Sequence, residues 1–523
     1  MRARRQVSLF LSITLFLLAL LVVQSTSGLA AADGTVRYVA PTGTDTGDCS
    51  LLAAPCATVQ YAVDVAGTGD LIKIAAGLYT GVKGHAAPVG YLGAATVQQV
   101  VYLDKTLTLQ GGYLAPGFAG PPDPEINRST LDAQGNGRVL FIAGDISPRI
   151  EGLWMTGGDA AGLGGGLDSG QDAGGGVYIL DTEATLVGNR VHGNVAGWFG
   201  GGLYLSGSDS LLEGNSINEN EATNTSWGHG GGLALISSHA HLSGNEFIDN
   251  RAWRAGGGIY LSSSNAVLSG NSLNGNECQG DGGALYFLNC DGARLHGNWI
   301  DWNQAGFGGG ILLSNSDVVM KGNRVEGNLA SLGGGLAMMW SSPELDGNDI
   351  IRNRVSGSFS RGSGLHLSWH SDALLTNNLI AGNRATYTEQ GSALCIEDSA
   401  PRLLHNTIVS NTGGLGAISV LDYAAHSSVS LTNTILVSHT LGITVSAGNT
   451  ATLEATFWGD GDWANDVDWA GEGVIEVGDT NIWGDPAFTC VDPRLTRGGC
   501  LPYRLLPESA AVDQGVATGI RTD

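Results

Sequence analysis

Between Asn189 and Asn411 the chain repeats one short phrase nine times: Asn, any residue, an apolar residue, two further residues, Asn. The first copy reads Asn189-Arg-Val-His-Gly-Asn194, and after a loop comes Gly200-Gly-Gly-Leu-Tyr-Leu205. The second reads Asn215-Ser-Ile-Asn-Glu-Asn220, followed by Gly230-Gly-Gly-Leu-Ala-Leu235. Self-similarity at a period of roughly 26 residues means stacked units, because one unit cannot bury its own apolar face. Each unit carries three short strand-like stretches. Around the second copy they are Leu203 to Leu205, Ser210 to Glu213, and Ser216-Ile217 with its flanks. Strands this short, joined by tight turns, cannot make a flat sheet within one period. They can make one triangular coil of a parallel β-helix, each strand pairing with its counterpart about 4.8 Å away in the next coil.

Two columns follow from the stacking. Val191, Ile217, Phe247, Leu273, Ile300, Val325, Ile350, Ile380 and Ile408 are equivalent and form one inward row. The first Asn of each copy forms a second row, each amide bonding the next, since a buried amide is tolerated only when paired. The glycine clusters fall where the chain turns sharply or another backbone passes close. A leucine-rich solenoid would need a helix-length segment and a leucine spacing that are absent.

The ends divide the chain further. Arg2, Arg4 and Arg5, an apolar run from Val7 to Val23, and Ala30-Ala31-Ala32 make residues 1–32 a cleavable export signal, with a retained membrane anchor as the alternative. No second stretch is long and apolar enough to span a bilayer, so a secreted or extracellular cell-surface location is expected. Residues 33–96 form an N-terminal cap and first coil. Thr58 to Ala66 has helical spacing with Thr58 as N-cap, and an amphipathic helix here would cover the open end of the stack. Residues 97–456 carry the β-helix, with a proline-rich loop from Tyr113 to Arg128, and residues 457–523 form a Trp- and Asp-rich, anchor-proximal tail.

Seven cysteines fit an oxidising compartment. Cys49 with Cys56 and Cys490 with Cys500 are short-range pairs suited to disulfides. Cys278 takes a place held by Ala in six other copies and reads as a small core residue, with a bond to Cys290 as the alternative. Cys395 reads as a free thiol on a strand. The 82 glycines stand beside only 14 prolines and regular apolar positions, which excludes disorder, and no Gly-x-y triplet excludes collagen. A net charge of −24, with four scattered lysines, excludes a nucleic-acid partner. A monomer is expected.

The run from Thr58 to Thr80, the Leu109-Gln-Gly-Gly-Tyr113 turn and the Asn/Gly coils resemble bacterial right-handed parallel β-helix proteins of the pectin-lyase-like superfamily. Gly484-Asp-Pro-Ala-Phe488, Tyr503 to Ser509 and Ala511 to Gly515 resemble the closing part of surface proteins whose β-helix precedes one of several anchors. The fold expected is therefore all-β: a right-handed, three-faced parallel β-helix of about twelve to fourteen coils with an N-terminal helical cap. The resemblance implies no single activity, because the same coils host lyases, hydrolases, adhesins and spacers.

Three groups could carry chemistry. The loop between the second Asn and the glycine cluster collects Trp198, Phe199, Trp227, Trp253, Phe307, Phe359 and Tyr387. Such rings could stack on sugars, with His229 and Arg254 bonding hydroxyls or carboxylates; the plainer alternative is that they pack on one another. Glu219 with Asp249, and Asp301 with Glu326, are equivalent residues of adjacent coils, spaced for a glycosidase pair or for calcium; the plainer alternative is an exposed polar face on an acidic protein. Asp460, Asp462, Asp466 and Asp468 are a second calcium candidate, although their spacing matches no EF-hand and a solvated loop is the plainer reading. Catalytic signatures of the superfamily are missing, no lysine lies near the acidic pairs, and Arg352 and Arg354 have only weak candidate partners. No catalytic residue is assigned. The function expected is non-catalytic binding of a polysaccharide, cell-surface glycan or other surface through Trp198, Trp227, His229, Trp253 and Arg254. The alternative is a polysaccharide lyase or glycoside hydrolase with an unrecognised active site.

Overall fold

The computed structural model describes residues 34–168, 170–357, 360–386, 391–489 and 503–518. The export signal, Phe359, Tyr387, Cys490 and Cys500 lie outside the described residues. Three long sheets of 16, 15 and 15 strands run the length of the molecule, as the coil reading requires. Leu211–Glu213 belongs to the first sheet, Ser216–Asn218 to the second and Leu233–Ile236 to the third, so one coil visits each sheet once. Within these sheets pairing is parallel, except that Lys83–Ala86 lies antiparallel to Thr96–Leu103 at the start of the third sheet.

Strand length decides which side chains enter the core. In the three-residue strands of the first and second sheets only the middle residue faces inward. Leu212, Leu242 and Leu268 stack in the first sheet, and Ile217, Phe247 and Leu273 in the second. The four-residue strands of the third sheet turn two residues inward, such as Leu233 and Leu235, and send their second residue outward. The glycine cluster lets these strands start. Gly230 has φ +65°, and a Cβ on Gly231 would stand 2.2 Å from the carbonyl oxygen of Arg251 in the next coil.

Both asparagines of the repeat form ladders, not only the first. Asn215 Nδ2 donates to Asn245 Oδ1 at 2.9 Å and to the carbonyl of Leu186 at 2.9 Å, while its backbone N–H also donates to Asn245 Oδ1. Asn220, Asn250 and Asn276 repeat this scheme at the next corner. Each amide thus meets its bonding needs inside the wall. Serines after the third sheet make a third ladder through Ser208, Ser238 and Ser264, and Cys290 occupies one of its places, receiving the N–H of Ser264. Cys278 and Cys290 are both free, and Cys278 packs in a column with Ala222, Ala252 and Ala305.

The N-terminal end is covered. The helix Val59–Val65 starts at Thr58, whose hydroxyl accepts the N–H of Tyr61, and sets Val59, Ala62 and Val63 against the core. Gln60 exchanges two hydrogen bonds with the backbone of Tyr102, and Cys49 is bonded to Cys56. At the far end the coils pass the expected boundary at residue 456. Phe457–Gly459, Val467–Gly471, Val474–Val477 and Ile482–Gly484 extend the three sheets, with Trp458 fully buried among them. The tail then runs back along the second sheet, where Phe488 and Tyr503 pack edge-on and Asn433 exchanges two bonds with the backbone of Val516. No helix among the described residues is long and apolar enough to cross a membrane.

Candidate functional site

The outward residues of the third sheet form the floor of a groove parallel to the long axis. In chain order they include Tyr204, Ala234, Tyr260, Tyr286, Leu312, Ala337, His366 and Cys395. One rim is the residue just before each glycine cluster: Phe199, His229, Ala255, Asp281, Phe307, Leu332 and Arg361 are joined in this order by parallel bridges. The other rim is the turn after each strand, where Trp340, Trp369 and Asp398 all have positive φ. The loop singled out in the sequence is thus one of two rims.

In the N-terminal half the floor is closed by stacked rings, with Phe141 4.7 Å from Tyr178 and Tyr178 5.2 Å from Tyr204. Ala234 leaves a gap in this row. His229 fills it from the rim, its ring 5.2 Å from Phe199 and 4.6 Å from Tyr260. Burial, assisted by the charge of Arg254, holds the His229 imidazole down to about 4, so it packs as a neutral ring. Arg254 reaches along the rim to pair with Asp281. Burial raises the Asp281 carboxyl despite that opposing charge. Trp198 and Trp227 lie parallel, 6.3 Å apart and inclined by 5°, and Trp227 is 52% exposed. Trp253 is separate from this pair, beside a cavity of about 110 Å³ with Glu221, Arg251 and Glu277. The structure therefore brings Trp198 and Trp227 together, turns His229 inward and leaves Trp253 on its own.

In the C-terminal half the floor opens. Where Leu312 and Ala337 replace the rings, a cavity of about 180 Å³ forms between Phe307 and Leu332 on one side and Trp369 and Tyr423 on the other. Arg361, His366, Glu397 and Asp398 line it. His366 Nε2 lies 3.0 Å from Glu397 Oε2, and Arg361 pairs with Glu397 Oε1. The Nε of Arg361 has no partner among the described residues. Burial acts to raise the Glu397 carboxyl, but the His366 hydrogen bond and the charges of His366 and Arg361 outweigh it and hold it low. Asp398, one residue on, accepts the backbone N–H groups of Tyr423, Ala424 and Ala425 at 2.8, 3.0 and 2.9 Å. Its net shift is also downward, these bonds exceeding the effect of burial. Trp340 and Trp369 stack at 5.5 Å on the rim, and Tyr423 meets Trp369 edge-on at 5.7 Å. The sequence reading missed this group. Its one signal is that the turn residue after the third strand, small in Gly207, Ser237 and Ser263, becomes Trp in two successive coils.

Among the described residues one group of three His, Cys, Asp or Glu side chains converges within 4.8 Å: His366, Cys395 and Glu397. Its chemistry does not suit a cation. Arg361 already neutralises Glu397, His366 takes the second oxygen, and burial pushes the Cys395 thiol well above its ordinary range. Among the described residues no third ligand converges on the acidic pairs. Glu219 and Asp249 share a cavity of about 510 Å³ with Glu221 and Arg251, and Asp468 accepts from Asn465 and Trp483. Glu326, opposite Asp301, is bound by Arg324 and by Arg352, so Arg352 has a firm partner that the sequence reading did not find.

A family model described as "Right handed beta helix region" matches residues 168–300 and 280–436. No curated protein matches the sequence. Similar solved structures include the Dettilon tailspike protein (gp208), 14% identical with a TM-score of 0.33 over 85% of this chain and 69% of that one. Pectate lyase Pel9A is 13% identical with a TM-score of 0.28 over 95% of each chain. PfbA, a surface adhesin of Streptococcus pneumoniae, is 12% identical with a TM-score of 0.28 over 82% of this chain and 86% of that one. These likenesses say nothing of a shared activity. The matched segments together run from residue 168 to residue 436, more than half of the chain, and the protein belongs to the right-handed β-helix family.

Proposed function

We propose that the protein is a non-catalytic, extracellular β-helix that binds carbohydrate along the outward groove of its third sheet. The observation that carries this reading is the Trp198–Trp227 pair, two parallel rings at the groove edge with Trp227 half exposed. An exposed indole has an apolar face matched to the C–H face of a sugar ring, and a flat ring loses little side-chain entropy on binding. Trp340, Trp369 and Tyr423 offer a second platform on the opposite rim. The Cys49–Cys56 disulfide fits an oxidising, extracellular setting.

Titration calorimetry of the protein against a polysaccharide panel, with parallel assays for unsaturated products and new reducing ends, tests this. Binding without turnover, weakened about tenfold (~1.4 kcal/mol) by Trp227→Ala, is expected. Turnover would favour the second reading, a polysaccharide lyase or glycoside hydrolase. One observation speaks for that reading: the carboxylate of Glu397 orients the ring of His366 at the wall of a cavity, as an acid–base pair requires.

A further inference from the structure

We propose that the cavity between Phe307 and Trp369 is a subsite for one uncharged hexose unit of a glycan chain; this rests on the reading of the groove as a carbohydrate site. Size is the first support. A space of about 180 Å³ holds on the order of six waters, enough for a single sugar ring.

The second support is where the charged groups stand. Arg361 follows Phe307 and Leu332 in its column, His366 follows Leu312 and Ala337, and Glu397 follows Met339 and Ser368. At three neighbouring places the wall changes from apolar or small to charged or titratable, and all three side chains line one cavity or touch across it. Stability does not ask for this, since a buried ion pair can be replaced by apolar packing at little or no cost. Each oxygen of Glu397 keeps a lone pair beyond those used by Arg361 and His366, while the Nε of Arg361 is buried out of reach of the cavity. Carboxylate lone pairs at a cavity wall are acceptors for sugar hydroxyls. Trp369, 37% exposed, and Tyr423, 77% exposed, then supply the faces on which the ring stacks.

Charge selects the class of sugar. Arg361 cancels Glu397, Asp398 adds a further carboxylate at the wall, and the whole chain carries −24. A uronate would bring its carboxylate against two others, with the nearest guanidinium already engaged. An amino sugar would have to compete with Arg361 for Glu397. An uncharged hexose avoids both costs.

The test is calorimetric titration of the full protein with cellohexaose, mannohexaose and galactohexaose as neutral probes and hexagalacturonate as the anionic one. The wild type, Ala337→Phe, Trp369→Ala and Trp227→Ala are compared, with thermal midpoints for each. Ala337→Phe refills the floor with a ring, as at Phe141 and Tyr204, directly beside His366 of the next coil; if it does not fold, exposed Trp369→Ala decides alone. The expected result is that a neutral probe binds more tightly than hexagalacturonate and loses at least tenfold in affinity with the cavity variants, at unchanged thermal midpoint for Trp369→Ala. Neutral binding that falls with Trp227→Ala but is untouched by both cavity variants overturns the subsite and leaves the groove reading standing. Tighter binding of hexagalacturonate overturns the subsite's selectivity. Failure of every probe to bind overturns the subsite and the groove reading together.

Discussion

His439 replaces an asparagine in the second ladder: its Nε2 lies 3.3 Å from Nδ2 of Asn411, whose equivalents in the preceding coils each bond another Asn. On the far side His439 Nδ1 lies 3.2 Å from Asn465 Oδ1. An amide –NH₂ on one side and a carbonyl oxygen on the other fit a neutral ring protonated at Nδ1.

Burial accordingly drives the His439 imidazole down to about 3, although its bond to Asn465 works the other way. Its unfolded value is the ordinary 6.5, so the stability tied to the neutral ring is fully present above that pH. It is lost as pH falls from 6.5 towards 3, because the unfolded chain takes up a proton that the native state refuses, at a cost of at most about 5 kcal/mol. His229 acts in the same sense between 6.5 and about 4. His439→Asn, which continues the ladder with the residue used elsewhere, should flatten the dependence of the urea midpoint on pH between 6.5 and 4. An equally steep fall in the variant would show that the ring is not the source.

Within the ladder, Asn276 accepts from the backbone and side chain of Asn250 and donates to Asn303 and to the carbonyl of Phe247. Asn276→Ala leaves several of these groups buried and unpaired, at about 1–3 kcal/mol for each one that cannot relax. A loss of about 3 kcal/mol or more in equilibrium unfolding is expected. The exposed change Trp227→Ala should cost less than about 0.5 kcal/mol in the same measurement.

Replacing Cys49 and Cys56 by Ser should destabilise the N-terminal cap by about 2 kcal/mol, the value expected for closing so short a loop. Hydrogen exchange should then quicken in residues 36–66 and stay unchanged near Asn276. Uniform acceleration along the rod would mean that the cap and the coils open together.

The ladder of first asparagines and the inward row were legible because they depend on position within a repeat and on nothing else: once Val191 and Ile217 are aligned, every later member follows. Features that depend on loop length were not. Arg361 and Glu397 are 36 residues apart, and the loops between them differ in length from those of earlier coils, so counting along the repeat does not bring them together. The inward turn of His229 follows from the gap at Ala234, which is visible only once the floor is known to be a row of rings. The second rim was hidden for a related reason. The direction of Trp340 and Trp369 is set by a left-handed backbone at the turn, which the residue type alone does not announce.

Hydroxyl-radical footprinting of the tryptophans, with and without saturating neutral hexasaccharide, tests the groove most directly. Trp299 and Trp302 are 50% and 62% exposed at the second sheet and its following turn, outside the groove, and serve as internal controls. Protection of Trp227 and Trp369 on ligand addition, with Trp299 and Trp302 unchanged, is the result predicted. Protection of Trp299 and Trp302 with Trp227 and Trp369 still open to attack would contradict the account.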